Sequence, residues 1–307
     1  MPLIVAGSVA LDDLATPFGE RKNLLGGSAV HAGVSASFFT PVKLVGVVGE
    51  DFPREHVDFL KQRKIDIEGL KVIKGKTFHW EGYYEYDMNQ AHTVKTDLNV
   101  LSQFDPELPE SYRKSKYVFL ANLDPELQLR ILDQVAAPKL VVADTMNYWI
   151  ENKKDALEEV VRRSDIMLFN DTEAREFTKV PNLIVAAKKI LDMGAKNVII
   201  KKGEHGALLF SKDLHFSAPS FPQEDLIDPT GAGDSFAGGL IGYLAKCGGT
   251  RTEDLKKAII IGSVMASFNV EDFSLDSLRK LRNDQITKRY SMFRRFVEFE
   301  ELPDNYI

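Results

Sequence analysis

The stretch Asp228-Pro229-Thr230-Gly231-Ala232-Gly233-Asp234-Ser235-Phe236 has the residue types and spacing best suited to chemistry in this chain. Its glycines let the backbone approach a ligand closely. The N–H groups of residues 231–234, opening a helix, then point one way at the positive end of the helix dipole and form an anion hole. Asp234 stands at its mouth, where a carboxylate can take the proton of a substrate hydroxyl. Fixed positive potential beside a proton acceptor suits phosphoryl transfer, in which positioning and charge stabilisation supply most of the catalysis. The competing reading is a glycine-rich turn capped by Asp234.

Other signals carry less. Gly75-Lys76-Thr77 ends like a P-loop, but the first glycine belongs at position 70, which is Leu70. A turn before a strand is the better reading. The Gly-x-Gly-x-x-Gly fingerprint of dinucleotide oxidoreductases does not occur. The histidines (His31, His56, His79, His92, His205 and His215) are scattered without metal spacing. Cys247 is the single cysteine, so neither an intramolecular disulfide nor a multi-cysteine zinc site can form. Without a His/Asp partner motif it reads as a packed thiol. His31 is either a substrate contact or a buried, hydrogen-bonded histidine.

The elements that would hold these residues alternate. Short apolar runs at 3–6, 42–48, 117–120, 139–143, 166–169, 198–201 and 207–210 predict strands. Helices are predicted over 26–39, 54–64, 125–135, 155–163, 183–193, 232–246 and 255–268. This repetition predicts a mostly parallel sheet with helices on both faces. A strand at 226–228 is expected to lead into the glycine motif. Residues 77–100 differ: Phe78, Trp80, Gly82, Tyr84 and Tyr86 share one parity, which predicts a strand with one aromatic face and an inserted antiparallel sheet. Those aromatics either stack on a nucleobase or sugar, or pack two copies of the insert together in a dimer. Arg294-Arg295 reads as a solvated face, and residues 283–307 as a packed tail.

Composition bounds the class. The 307 residues carry 39 Lys plus Arg against 45 Asp plus Glu, a net charge of −6. That balance argues against a general nucleic-acid or anionic-membrane binder. The N-terminus lacks a basic region before its apolar run, and no apolar stretch nears the ~20 residues of a membrane span. A soluble, cytoplasmic protein is expected.

The glycine motif resembles the C-terminal signature of the ribokinase-like (PfkB) carbohydrate kinases. Gly26-Gly27-Ser28-Ala29 resembles their N-terminal Gly-Gly motif, Asn170-Asp171-Thr172-Glu173 their Asn-x-x-Glu motif, and Gly7-Ser8 followed by Asp12 their first-strand substrate contact. Order and spacing hold over residues 3–282. The resemblance implies a three-layer α/β/α sandwich, one domain over 1–307, with a small inserted β-sheet lid built from about 12–24 and 77–100. It implies Asp234 as general base towards a hydroxymethyl group, and Gly231, Ala232 and Gly233 at the charge of the transferring phosphate. Asp12, Gly26, Gly27 and His31 would face the acceptor. Asn170, Glu173, Lys202, Gly203, Gly206 and Gly262 would face ATP, with 255–274 flanking the adenine. Glu173 would organise Mg2+ through water, and Asp228 and Thr230 match two ligands of a possible K+ site. The lid would close over the acceptor and exclude water, and two lids could pair in a homodimer.

Two positions depart from the family. His31 stands where Asn is usual in the Gly-Gly motif, and Ala10 stands where Asn often follows the first Gly-Ser. Both positions touch substrate in sugar kinases. The leading expectation is an ATP-dependent sugar kinase. Nucleoside kinase is the first alternative, and a non-catalytic ligand-binding or regulatory member the second.

Overall fold

The computed structural model describes residues 2–300. Its strands are β1 (Leu3–Ala6), β2 (Ala10–Thr16), β3 (Gly19–Gly26), β4 (Val42–Gly49), β5 (Ile65–Ile73), β6 (Phe78–Tyr84), β7 (Ala91–Asp97), β8 (Tyr117–Leu120), β9 (Leu140–Ala143), β10 (Ile166–Asn170), β11 (Asn197–Lys201), β12 (Ala207–Ser211) and β13 (His215–Ala218). The helices are α1 (Ser28–Ala36), α2 (Arg54–Gln62), α3 (Pro125–Asp133), α4 (Asn147–Asn152), α5 (Lys154–Arg163), α6 (Asp171–Thr178), α7 (Leu183–Asp192), α8 (Ala232–Cys247), α9 (Thr252–Asn269), α10 (Asp276–Lys280) and α11 (Asn283–Val297).

Nine strands form one sheet in the order β13-β12-β11-β10-β9-β8-β1-β4-β5. Strands β5 to β11 in that order are parallel, and β12 and β13 close the edge antiparallel. A parallel sheet is covered on both faces, so its strands are apolar throughout, as in β1, β8 and β9. Successive side chains serve opposite layers. Leu3 and Val5 enter the core under α1, α2, α8 and α9, whereas Ile4 and Ala6 enter the core under α3, α5, α6 and α7. Each fully buried aliphatic side chain contributes about 1.5–3 kcal/mol relative to exposure. This is the expected α/β/α sandwich.

Strand order runs outward from β1 in both directions, which opens a crevice beyond the carboxyl ends of β1 and β8. The second sheet, β3-β2-β6-β7, stands over that end. The β6–β7 hairpin is antiparallel, as expected; a second antiparallel hairpin, β2–β3, joins it through β2 and β6 in parallel register, Ala10 opposite Phe78 through Ala15 opposite Tyr83. Two expectations need correction. Residues 226–228 form no strand; the amides of Ile227 and Asp228 donate to the Val270 carbonyl instead. Strand β6 stops at Tyr84, and Tyr86 is 93% exposed in the turn, so the aromatic face is shorter than the parity suggests. The tail begins as a helix, α11, with Ile286 and Phe293 buried; residues 301–307 lie outside the described part.

Candidate active site

Helix α8 begins under the crevice. Its N-cap, Gly231, has φ +73°, and a Cβ there would stand 2.3 Å from the His31 ring. Both the left-handed backbone and the ring beneath it require glycine. The Ala232 amide donates to the Pro229 carbonyl at 3.1 Å. Among the described residues the amides of Gly233 and Asp234 have no protein acceptor, which leaves them for an anion. The hole is thus narrower than four amides.

Asp234 lies in the first turn of α8, partly open to solvent yet enclosed by protein mass. Burial, with Asp144 adding to it, pushes its pKa up to about 7, and Lys201 pulls the other way. A carboxylate poised near neutrality is what a general base needs.

The loop before α8 is tied down from four sides. Asp228 is fully buried, and its carboxylate accepts the amides of Thr230 and Ser274, each at 2.8 Å. Asn269 Nδ2 donates to the Thr230 carbonyl at 2.7 Å, and Asn269 Oδ1 accepts the Ser235 hydroxyl at 2.8 Å. The Thr230 hydroxyl and the Tyr84 phenol are 3.3 Å apart, which couples the loop to the second sheet.

Asp12 on β2 is buried, and its carboxyl lies over Gly26, where a Cβ would come within 1.8 Å of Oδ2. Burial, then the charges of Asp228, Asp13 and Asp234, push its pKa up to about 8. Gly27 is the N-cap of α1, with φ +93°. His31 is 1% exposed, and burial lowers its pKa to about 4. Its Nδ1 is 3.1 Å from Asn269 Oδ1, and its Nε2 is buried without a partner. Of the two readings of His31, the buried, hydrogen-bonded one describes its Nδ1, while Nε2 is left as a buried acceptor.

The carboxyl ends of β9, β10 and β11 bring a second group together. Asn170 and Glu173 close a capping box at α6: the Glu173 amide donates to Asn170 Oδ1 at 2.7 Å, and the Asn170 amide donates to Glu173 Oε2 at 2.6 Å. Burial pushes the Glu173 carboxyl up to about 8, opposed by Lys201. Lys201 Nζ donates to Asp144 Oδ2 at 2.6 Å in a buried pair. A Cβ on Gly233 would be 3.3 Å from that ammonium, so Lys201 sits beside the anion hole. Sequence reasoning missed Lys201 and Asp144; it expected Tyr84 in the stacking face and Asn269 beside the adenine, whereas both bond the Thr230 loop. The only signal for the missed pair was a charged residue at the carboxyl end of an apolar strand, the last residue of β11 and the first after β9.

A cavity of about 620 Å3 extends from Gly233 outward. Gly203, Gly206, Ala232 and Gly233 line it, as do Ser263, Ala266 and Ser267 of α9, and the Met88 turn of the second sheet covers one side. Lys202 is in the adjoining loop but does not line it. Gly262, expected there, does not line it either: it faces Phe236 between α8 and α9, where a Cβ would meet the Phe236 carbonyl at 2.8 Å. The helix turns Ser263 and Ser267, not Gly262, towards the cavity.

Free amides at a helix start, a carboxylate and a glycine-bordered cavity thus lie together at the switch point of an α/β/α sandwich. Residues 9–280 match the pfkB family carbohydrate kinase model, and the chain belongs to that family. The cytidine kinase of Thermococcus kodakarensis is 33% identical over 249 residues, 79% of this chain and 88% of that protein. The nucleoside kinase of Methanocaldococcus jannaschii is 29% identical over 250 residues, 78% of this chain and 79% of that one. Among solved structures, the Methanocaldococcus jannaschii nucleoside kinase, an archaeal member of the ribokinase family, superposes with a TM-score of 0.76 at 22% identity, over 95% of this chain and 98% of that chain. The fold is ribokinase-like, and the chain is a PfkB-type kinase of sugars or nucleosides.

Proposed function

We propose that this chain is a nucleoside kinase, which transfers the γ-phosphoryl group of ATP to the hydroxymethyl oxygen of a nucleoside such as cytidine. The observation that carries this choice is the 33% identity to a cytidine kinase over most of both chains. The departures at Ala10 and His31 from the sugar-kinase pattern support it.

The acceptor hydroxymethyl group lies on the Asp12, Gly26 and Gly27 side of Gly231, and the triphosphate runs from Gly233 into the cavity. Asp234 accepts the hydroxyl proton as the oxygen attacks the γ-phosphorus; the bond to the β-phosphate oxygen breaks, and ADP leaves. The amides of Gly233 and Asp234 and the Lys201 ammonium hold the charge on the transferring group. The Met88 turn shields the reaction from water.

A divalent cation, Mg2+ in this reading, fits beside Glu173, whose buried carboxyl would give up its proton more readily next to that charge. Among the described residues no cluster of three metal-ligating side chains occurs, in keeping with an ion that arrives on the triphosphate. It would neutralise phosphate charge. K+ in this reading would lie beside Asp228 and Thr230, whose carboxylate and carbonyl oxygens each accept one hydrogen bond and keep further acceptor capacity.

We read residues 1–307 as one domain with its lid, working in the cytoplasm. No helix among the described residues is long and apolar enough to cross a membrane. Exposed Tyr83, Tyr86 and Val94 on the lid support a homodimer through paired lids, tested by mass in solution. The function is tested by ADP release with MgATP against nucleosides, pentoses and hexoses. Higher kcat/KM for nucleosides than for any free sugar is expected. A sugar as best acceptor would overturn the assignment and restore the sugar-kinase reading.

A further inference from the structure

Loop 219–226 forms one wall of the cavity through Phe221, Pro222, Gln223 and Leu226. Among the described residues it makes no backbone–backbone hydrogen bond, so its position depends on side chains. Ser220 holds the Glu204 carbonyl at one end. The remaining tethers run to Glu271 and to α11, and Arg289 of α11 links the two. The Arg289 guanidinium lies 5.0 Å from the centre of the Phe221 ring and 3.5 Å from that of Phe268. It donates to Glu271 Oε1 at 2.6 Å and to the Ser267 hydroxyl at 3.1 Å. Gln223 Nε2 donates to the same Glu271 oxygen at 3.0 Å. Phe293 and Phe296, from the next turns of α11, pack on Phe221 at 6.1 and 5.7 Å between ring centres.

One planar cation thus clamps the loop wall (Phe221 directly, Gln223 through their shared Glu271 carboxylate) to the helix wall (Ser267). Arginine suits this role because its fork binds a carboxylate and a hydroxyl while its flat faces cover rings. We propose that Arg289 is a positioning residue for the nucleotide: it fixes the width of the cavity where the nucleoside end of ATP lies, and α11 belongs to the nucleotide site although it touches no phosphate. This rests on the reading of the cavity as the ATP site.

The test uses the full chain. Dissociation constants for MgADP are measured by calorimetry, and KM for ATP and kcat with the best acceptor of the panel, for the parent, R289A, R289K, R294A and A266L. R289A is expected to weaken ADP and raise KM for ATP about tenfold, the scale of one charge-assisted hydrogen bond, with kcat within about twofold. R289K keeps the charge without the two-ring stack; it restores melting temperature but not affinity. R294A, on the exposed side of α11, leaves both unchanged. If R289A fails to fold, F221A, which keeps the Arg289–Glu271 pair, is expected to show the same loss of affinity. A lower melting temperature with ADP affinity within twofold of the parent, in R289A or F221A, overturns the proposal. A266L fills the cavity itself. If A266L weakens ADP while R289A does not, the positioning role alone fails; if A266L leaves ADP binding intact, the cavity is not the nucleotide site and both readings fall.

Discussion

His31 Nδ1 and Asn269 Oδ1 are 3.1 Å apart across 238 residues of sequence, and their contact fixes the state of both groups. Asn269 donates its amide to the Thr230 carbonyl, so its Oδ1 can only accept. The proton on the imidazole therefore sits on Nδ1. Burial holds the ring neutral, with a pKa near 4. Asn269 is the one side chain that grips His31, Ser235 and the loop at Thr230 together.

Asn269→Ala removes those three hydrogen bonds at once. At about 1 kcal/mol each, plus the cost of the groups left unpaired, stability should fall by about 3–5 kcal/mol. The loop that carries the anion hole loosens with it, so kcat should drop more than KM for ATP rises. Denaturant titration and steady-state kinetics measure the two. A variant with parental stability would show that the network is slack.

The pH dependence of kcat/KM should report Asp234. The base must be unprotonated, and its pKa is about 7, so the rate should climb through neutrality and level off above it. His31 contributes no step in that range. Asp234→Asn should lower kcat by about 10²–10⁴-fold, with its remaining rate independent of pH. Near-normal turnover would remove Asp234 from the role of base.

Folded-state stability should carry the opposite slope. Asp12 and Glu173 hold protons to about pH 8 when folded, but lose them near pH 4 when unfolded. The folded chain binds more protons between those values. The stability these groups contribute is full below about pH 4 and is lost as pH rises towards 8. Asp12→Asn and Glu173→Gln escape that loss. Their melting temperatures, relative to the parent without ligand, should therefore improve from pH 5 to pH 8. An advantage that shrinks with pH would reverse the sign assigned here.

Lys201 and Asp144 form a pair to be tested by a double-mutant cycle. Lys201→Met leaves the Asp144 carboxylate buried and uncompensated, a loss of about 3–5 kcal/mol by the precedent of broken buried pairs. Adding Asp144→Asn should recover much of that stability. Activity should not return, because the ammonium beside Gly233 is still missing. Recovery of kcat in the double variant would reduce Lys201 to a structural role.

Much of the frame was legible in local patterns. Apolar runs of four or five residues mark β1, β8 and β9 because both faces of a parallel sheet are covered. The glycine motif announced α8 because its chemistry is contiguous. Illegible features came from distance or mixed signals. Lys201 and Asp144 are 57 residues apart and meet only through strand order. Strands β2 and β3 carry Asp12, Asp13, Glu20, Arg21 and Lys22, so no apolar alternation betrays them. Gly262 suits both a ligand approach and a helix crossing, and only packing against Phe236 distinguishes the two.

The parallel register of β2 and β6 has a mechanical consequence. Asp12 is the Cα partner of Trp80, so the side proposed for the acceptor and the sheet proposed to cover it are neighbouring rungs. No linker separates them that could flex alone. A swing of the cover as a rigid body carries the Asp12 carboxyl with it, and a molecule that engages Asp12 pulls on the cover directly. If the second sheet closes over an acceptor held by Asp12, as proposed, grasping that acceptor and shutting out water become a single movement.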